Sequence, residues 1–333
     1  MIGNETIFNI ASEVTSDAPA YNFESVALSV FQYQYEHNQI YCDFCNHLKK
    51  DPASVLNVGD IPFLPIEFFK KYKITTGSAP ETMDFSSSGT TGSALSKHYV
   101  TDISTYKTSY TKGFAHFYGA ISDYCVLALL PSYLERDGSS LIYMVTDLIA
   151  QSGHPESGFY LDAVDDLAQT LTRLDAKGTK VLLIGVSFAL LDLVETYSFR
   201  LRNTIVMETG GMKGRRKEMI REELHDLLKK GFGVTGIHSE YGMTELLSQA
   251  YSLGNGIFET PPWMRVLVRD TEDPLTEQPI DKTGGINVID LANINSCAFI
   301  ATQDLGKRYE DGRFEILGRF DHSDIRGCNL MVL

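Results

Sequence analysis

The sequence predicts an α/β fold: a mostly parallel sheet flanked by helices, followed by a small antiparallel sheet or partly closed barrel. Three observations predict it. Between about residues 81 and 255 short apolar runs alternate with amphipathic helical periods, the rhythm of strands joined by crossover helices. From about 256 the long helical periods stop, and WMRVLVRD, GGINVIDL, CAFIATQD and GRFEILGR follow one another across Gly, Pro and Asp turns, as antiparallel strands do. The 333 residues are 43% hydrophobic and 22% charged with no long polar tract, which is enough apolar material for a large core.

In chain order, residues 1–80 read as a mainly helical wrapping segment. Phe23 to Leu48 carries aromatics on a helical repeat, and Pro62 and Pro65 break any regular element in the next stretch of chain. Residues 81–255 read as the α/β core. YCVLALLPSY is a strand closed by a Pro turn, LDAVDDLAQTLTRLDAKG is a helix ending at Gly178, and VLLIGVSFALLDLV is a strand passing into a helix. NTIVMETGG is a further strand, and RRKEMIREELHDLLKKG is an amphipathic helix ending at Gly231, with Lys229 and Lys230 in the last turn where the helix dipole favours them. Residues 256–318 form the small antiparallel part, and 319–333 form a tail.

Charge narrows the partners. Lys plus Arg number 29 and Asp plus Glu 43, a net charge of −14, which opposes association with nucleic acid or anionic lipid yet leaves room for one small phosphate compound held by directed hydrogen bonds. No run is long and apolar enough to span a bilayer, and the N-terminal stretch MIGNETIFNIASEV carries acid in place of a basic leader. Five cysteines, Cys42, Cys45, Cys125, Cys297 and Cys328, make an odd set that with such an N-terminus points to a reducing, cytoplasmic setting. Cys42 and Cys45 form one CDFC pair on a helical stretch, read as structural in preference to half of a zinc site or a redox pair.

Four segments carry candidate chemistry. In MDFSSSGTTGSALSKHYV, Ser87, Ser88, Gly89, Thr90, Thr91 and Gly92 concentrate hydroxyls and unhindered N–H groups, as a loop wrapping a polyphosphate requires and as a plain surface loop also shows. Lys97 and His98 follow closely and could add positive charge. Gly210 and Gly211 follow a strand, letting backbone approach a flat ligand or simply making a tight turn. In GIHSEYGMTELLSQAY, Tyr241 can stack on a base, Gly242 frees the backbone, Thr244 can donate to a phosphate oxygen, and Glu245 can hold a magnesium ion or begin a short helix. His238 reads at least as well as a core or hydrogen-bonded residue as it does as a catalytic one. Asp304, placed where a strand gives way to a Gly turn, can accept two ribose hydroxyls, and Arg319 could reach the same sugar or a phosphate.

Together and in this order these segments resemble the acyl-adenylate-forming superfamily, and within it the LuxE-like acyl-protein synthetases first and the phenylacetate-CoA ligases next. The resemblance runs over roughly residues 80–333 and rests on Ser87-Ser88-Gly89-Thr90-Thr91-Gly92, Gly210-Gly211, Tyr241-Gly242-Met243-Thr244-Glu245, Asp304 in TQDLG and Gly318-Arg319. It implies the N-terminal-domain fold of that superfamily, with ATP and Mg²⁺ as cofactors, a carboxylic acid, expected to be fatty, as substrate, and acyl-AMP as intermediate. It also implies transfer to a thiol: Cys328 in Arg326-Gly327-Cys328 as carrier with an acyl reductase or similar protein as acceptor, or CoA in its place. A non-catalytic nucleotide- or acyl-adenylate-binding subunit is the remaining alternative, and a homo-oligomer stays open. The lid domain that carries an adenylation lysine in most relatives is expected to be absent here, leaving Lys97, Lys213 or a partner protein to compensate, or adenylation slow or lost. Tyr133, Phe159, Met207 and Met212 are candidates for the lining of the acid pocket.

Overall fold

The computed structural model describes residues 4–10, 22–87, 95–130, 138–210 and 219–320. Its strands are β1 (Leu64–Pro65), β2 (Met83–Ser86), β3 (Lys97–Val100), β4 (Cys125–Leu129), β5 (Gly158–Phe159), β6 (Val181–Gly185), β7 (Thr204–Glu208), β8 (His238–Tyr241), β9 (Ala250–Ser252), β10 (Ile257–Glu259), β11 (Met264–Arg269), β12 (Gly284–Asp290), β13 (Phe299–Arg308) and β14 (Phe314–Arg319). Its helices are α1 (Asn4–Phe8), α2 (Phe23–His37), α3 (Gln39–His47), α4 (Phe68–Lys71), α5 (Ile103–Tyr118), α6 (Ser140–Ser152), α7 (Val164–Ala176), α8 (Ser187–Thr196) and α9 (Arg221–Phe232).

Among the described residues twelve strands form one sheet in the order β11-β12-β13-β14-β10-β9-β8-β7-β6-β4-β5, with β1 beside β13, while β2 and β3 pair as a separate hairpin. Strands β4 to β8 pair in parallel, and from β8 to β9 onward the pairing turns antiparallel except for β1, which runs parallel to β13. The antiparallel strands expected after residue 256 are therefore present as β11–β14, but they continue the parallel sheet through β10 and β9, so hydrogen bonding crosses the expected boundary without a break.

Burial on both faces explains why the parallel strands read as unbroken apolar runs. In β4, Val126 and Ala128 enter the core shared with α5 and α6, while Cys125, Leu127 and Leu129 enter the core shared with α7, α8 and α9. In β6, Leu182 and Ile184 face the first core and Val181 and Leu183 the second. On the second face Leu167 and Leu171 of α7, Leu190 and Leu193 of α8, and Leu224 and Leu228 of α9 complete the layer.

The aromatic stretch from Phe23 splits into two helices at Asn38, which accepts from the Tyr41 N–H at 3.1 Å as the cap of α3 and donates to the Ser296 carbonyl at 2.9 Å. Gln34 on α2 is fully buried: its amide donates to the carbonyls of Asn293 and Ile294 at 2.9 and 3.0 Å and accepts from the Ala298 N–H at 3.0 Å. The wrapping segment is thus bolted by polar side chains onto the turn before β13. Cys45 is buried in α3, where burial pushes its thiol up to about 12, as suits a packing residue. Among the described residues no helix is long and apolar enough to cross a membrane.

Helix α9 runs past Gly231, where the sequence placed its end. Gly233, in the left-handed region at φ 68°, caps it instead. Gly231 lies inside the helix because α8 passes so close that a Cβ there would sit 2.3 Å from Cβ of Val194. Gly231→Ala is therefore expected to force α8 and α9 apart and to lower stability by about 1–3 kcal/mol, read as a lower urea midpoint with an unchanged m-value.

Candidate active site

The parallel strands β6, β7 and β8 lie side by side, and two of the four segments the sequence singled out follow β7 and β8. In an open α/β sheet this edge is where ligands bind. After β7 the chain turns through Gly210, whose φ of 73° suits glycine. The turn is held by Glu208, a buried carboxylate that accepts from the Gly210 N–H at 2.7 Å and the Ser187 hydroxyl at 3.0 Å. Burial alone would raise its pKa, but His225, the Arg221 guanidinium, the Gly210 amide and Ser239 outweigh it and hold the carboxyl at about 2. Arg221 reaches further, donating to the Ile316 carbonyl at 3.1 Å, and so ties this turn to β14.

After β8, residues 242–249 form an irregular, largely buried turn; Glu245 is not the start of a helix. Apart from a bond from the Leu246 N–H to the Met243 carbonyl at 3.1 Å, the turn's backbone bonds go to side chains from elsewhere. His98 on β3 lies 2.9 Å through Nδ1 from the Thr244 carbonyl, and Asn293 donates to the Glu245 carbonyl at 2.8 Å. Asp290 accepts from the N–H groups of Leu247 and Ser248 at 2.8 and 3.0 Å and from the Ser248 hydroxyl at 2.6 Å. Glu245 itself is buried, and burial raises its pKa against the opposing influence of Ser96, Arg319 and Lys70. Sequence reasoning missed Asp290 and Asn293, since an Asp at a strand end and an Asn three residues beyond it read as ordinary turn residues.

Tyr241, Asp304 and Arg319 come together. The Tyr241 hydroxyl donates to Oδ2 of Asp304 at 2.8 Å, and Nε of Arg319 lies 3.0 Å from Oδ1 of the same carboxylate. Asp304 lies inside β13 opposite Arg319 of β14, not where a strand gives way to a turn; the irregularity expected there is a register shift between Leu305 and Gly306. Asp304 is mostly buried and Arg319 half-exposed, so the pair opens to solvent on the arginine side. Tyr241 packs edge-on to Phe258 and Phe314, and burial, with the Asp304 charge behind it, raises its pKa far above the usual phenol range, keeping it a donor.

The hydroxyl-rich loop is visible at its neck. The Ser87 N–H donates to the Ser96 carbonyl at 3.0 Å and the Ser96 N–H to the Ser87 hydroxyl at 3.0 Å, closing the hairpin from which residues 88–94 depart. Lys97 does not join the cluster. It projects from the face of β3 opposite His98 and pairs with Asp84 at 3.7 Å. Nor does His98 add charge, because burial lowers its pKa to about 4. His238 is half-buried with Nδ1 3.2 Å from the Tyr118 hydroxyl, the hydrogen-bonded reading. Of the pocket candidates, Met207 is buried in β7 and Phe159 half-buried in β5. Ser88, Gly89, Thr90, Thr91, Gly92, Tyr133, Gly211, Met212, Lys213 and Cys328 lie outside the described residues. A cleft of about 550 Å³ opens beside Gln303 and Phe320, lined by Phe63, Pro65 and Arg269 among others, and neither Thr244 nor Asp304 lines it.

The fold is similar to that of two solved structures. ATP-bound MatB from Rhodopseudomonas palustris is similar with 18% identity and a TM-score of 0.51, over 71% of this chain and 47% of that one. An open conformation of 2-hydroxyisobutyryl-CoA ligase, in complex with 2-HIB-AMP and CoA, is similar with 14% identity and a TM-score of 0.62, over 90% of this chain and 69% of that one. The molecule thus shares its fold with these two structures, and it spans about half the length of the MatB chain, 47%. More narrowly, the family model described as acyl-protein synthetase, LuxE, matches residues 10–333, and the chain belongs to that family. No curated protein sequence matches the chain.

One group at the site gives a pH signature. Glu240 on β8 has its Oε1 only 2.4 Å from where a Cβ on Gly242 would be, so the glycine makes room for this carboxyl. Burial, with the Glu208 charge adding to it, raises Glu240 from 4.5 to about 8. The folded protein therefore keeps a proton that the unfolded chain releases, and stability falls as pH rises from 4.5 to about 8. Glu240→Gln, which has no proton to lose, is expected to gain on the wild type through that window and to match it below. Urea midpoints measured across the range check this; parallel pH dependences would place the proton elsewhere.

Proposed function

We infer that this protein activates a carboxylic acid with ATP as an acyl-adenylate and passes the acyl group to a thiol, with Cys328 as the first acceptor and an acyl reductase or similar protein downstream. The observation that carries the reading is the convergence of separate segments at one sheet edge: the loop neck at Ser87 and Ser96, the Thr244–Glu245 turn held by His98, and the Tyr241–Asp304–Arg319 network. ATP in MatB, and 2-HIB-AMP with CoA in 2-hydroxyisobutyryl-CoA ligase, are in keeping with it.

In the first step an oxygen of the acid's carboxylate attacks the α-phosphorus of ATP. The bond from that phosphorus to the bridging oxygen breaks, and pyrophosphate leaves. The demand on the protein is to gather positive charge and hydrogen-bond donors around a crowded phosphate. Donors from Ser87 to Gly92 and the Thr244 hydroxyl would supply them, with Arg319 adding a cation at the rim. Asp304 would accept from the ribose hydroxyls, and Gly210 and Gly211 would let backbone lie against the base beside Tyr241. Glu245 is suited to the magnesium ion that accompanies ATP, since its burial raises the cost of an unpaired carboxylate and a cation relieves it. Magnesium characteristically takes one or two carboxylates, with phosphates and water completing its shell, and among the described residues no cluster of three or more His, Cys, Asp or Glu side chains stands ready to hold a metal alone. The ion's part would be to draw charge from the phosphate oxygens. In the second step a thiolate attacks the acyl carbonyl carbon, the bond to the AMP oxygen breaks, and AMP leaves.

Incubation with ATP, Mg²⁺ and a panel of labelled carboxylic acids tests the reading. Pyrophosphate release should require the acid, and hydroxylamine-labile label should appear on the protein, persist in Cys297→Ala and vanish in Cys328→Ala. Product formed only with CoA would indicate a CoA ligase, and nucleotide binding without turnover a binding subunit. Asp304→Ala removes charge-assisted contacts worth about 1.5–3 kcal/mol, so the KM for ATP should rise about ten- to a hundredfold; an unchanged KM would remove Asp304 from the nucleotide site.

A further inference from the structure

His98 stands out because its chemistry does not match its surroundings. It is fully buried on β3, opposite Phe85 of β2 and edge-on to the Phe69 ring at 5.7 Å, in a setting that a phenylalanine or leucine would fill. The imidazole instead carries two nitrogens into that interior. Nδ1 lies 2.9 Å from the Thr244 carbonyl, which can only accept, so the ring proton belongs on Nδ1. Nε2 is then a bare acceptor, and it has no hydrogen-bond partner among the described residues. A residue retained for packing alone would not bring an unsatisfied buried nitrogen with it.

The sequence positions joined by this bond are 146 residues apart. On one side, His98 lies two residues after Ser96, which with Ser87 closes the neck of the hydroxyl-rich loop. On the other, Thr244 precedes Glu245, whose own carbonyl is held by Asn293. We propose that His98 is a positioning residue: its Nδ1–H fixes the Thr244–Glu245 turn relative to the neck of the phosphate loop, so that the two segments act on one phosphate in register. The assignment rests on the adenylation reading for its consequence in turnover, but not for the bond itself.

Two amides separate the ring atoms. The side-chain nitrogen of Asn is as many bonds from Cβ as Nδ1 of His, and that of Gln as many as Nε2. His98→Asn can therefore reproduce the donor to Thr244, His98→Gln places its amide where Nε2 was, and His98→Phe keeps the volume with no donor. The full-length wild type and these three variants are compared in two measurements: amide hydrogen exchange of peptides covering 242–249 in the free protein, and acid-dependent ATP–pyrophosphate exchange. The proposal requires exchange in 242–249 to quicken at least tenfold in the Gln and Phe variants and to stay near wild type in the Asn variant. It also requires kcat to fall tenfold or more in Gln and Phe with the KM for the acid unchanged, and to recover in Asn. Recovery in Gln but not in Asn would move the role to Nε2 and overturn the assignment. Equal behaviour of all three variants, with protection of 242–249 unaltered, would reduce His98 to packing and overturn it as well. Should the Phe variant not fold, the Asn and Gln pair still decides. If the wild type shows no acid-dependent exchange, the adenylation reading fails by itself, while hydrogen exchange still judges the bond.

Discussion

A buried stretch of backbone that joins no ladder must find its hydrogen bonds in side chains, and residues 242–249 impose that requirement on everything around them. The demand is met from two distant places, His98 on β3 and the turn after β12 that carries Asp290 and Asn293, each residue buried and each spent on a main-chain group of this turn. Asp290 bears the heaviest part. Full burial raises its pKa, and the Ser248 hydroxyl and the N–H groups of Leu247, Ser248 and Ala292 oppose that rise by collecting on its two oxygens. The position of Glu245 is therefore a property of the whole domain, in contrast to a residue on a surface loop.

The same logic explains the carboxylates behind the sheet edge. Glu208 and Glu240 lie on neighbouring strands yet titrate in opposite directions, to about 2 and about 8. Glu208 has a guanidinium, an imidazole and an amide to offset its desolvation; Glu240 has burial and the charge of Glu208 against it. A single negative charge is thereby kept at the strand ends, and it is already committed to holding the Gly210 turn.

Much of the fold was legible because buried parallel strands announce themselves: VLLIG and TIVME became β6 and β7 where the apolar runs lay. What escaped was set by contacts between distant segments. Gly231 reads as a helix stop, and only the approach of Val194 shows that it is a place of close packing inside α9. Lys97 follows the loop as a phosphate-binding lysine would, yet the alternation of a four-residue strand turns it away and buries His98 in its place. Tyr241 and Asp304 each read as facing a ligand, and their bond to one another comes from the fold; Asp290 and Asn293 left no sign at all, because their partners are main-chain atoms and main chain leaves no trace in side-chain identity.

The bonds on Asp304 set terms for whatever reaches it. Its two oxygens are engaged before any ligand arrives, one by a neutral phenol packed between aromatic rings and the other by a cation half in water. A hydroxyl docking on this carboxylate would have to replace or share one of these partners. Any group that bonds Asp304 thus gains only the difference between two sets of hydrogen bonds, which favours exchange over tight retention.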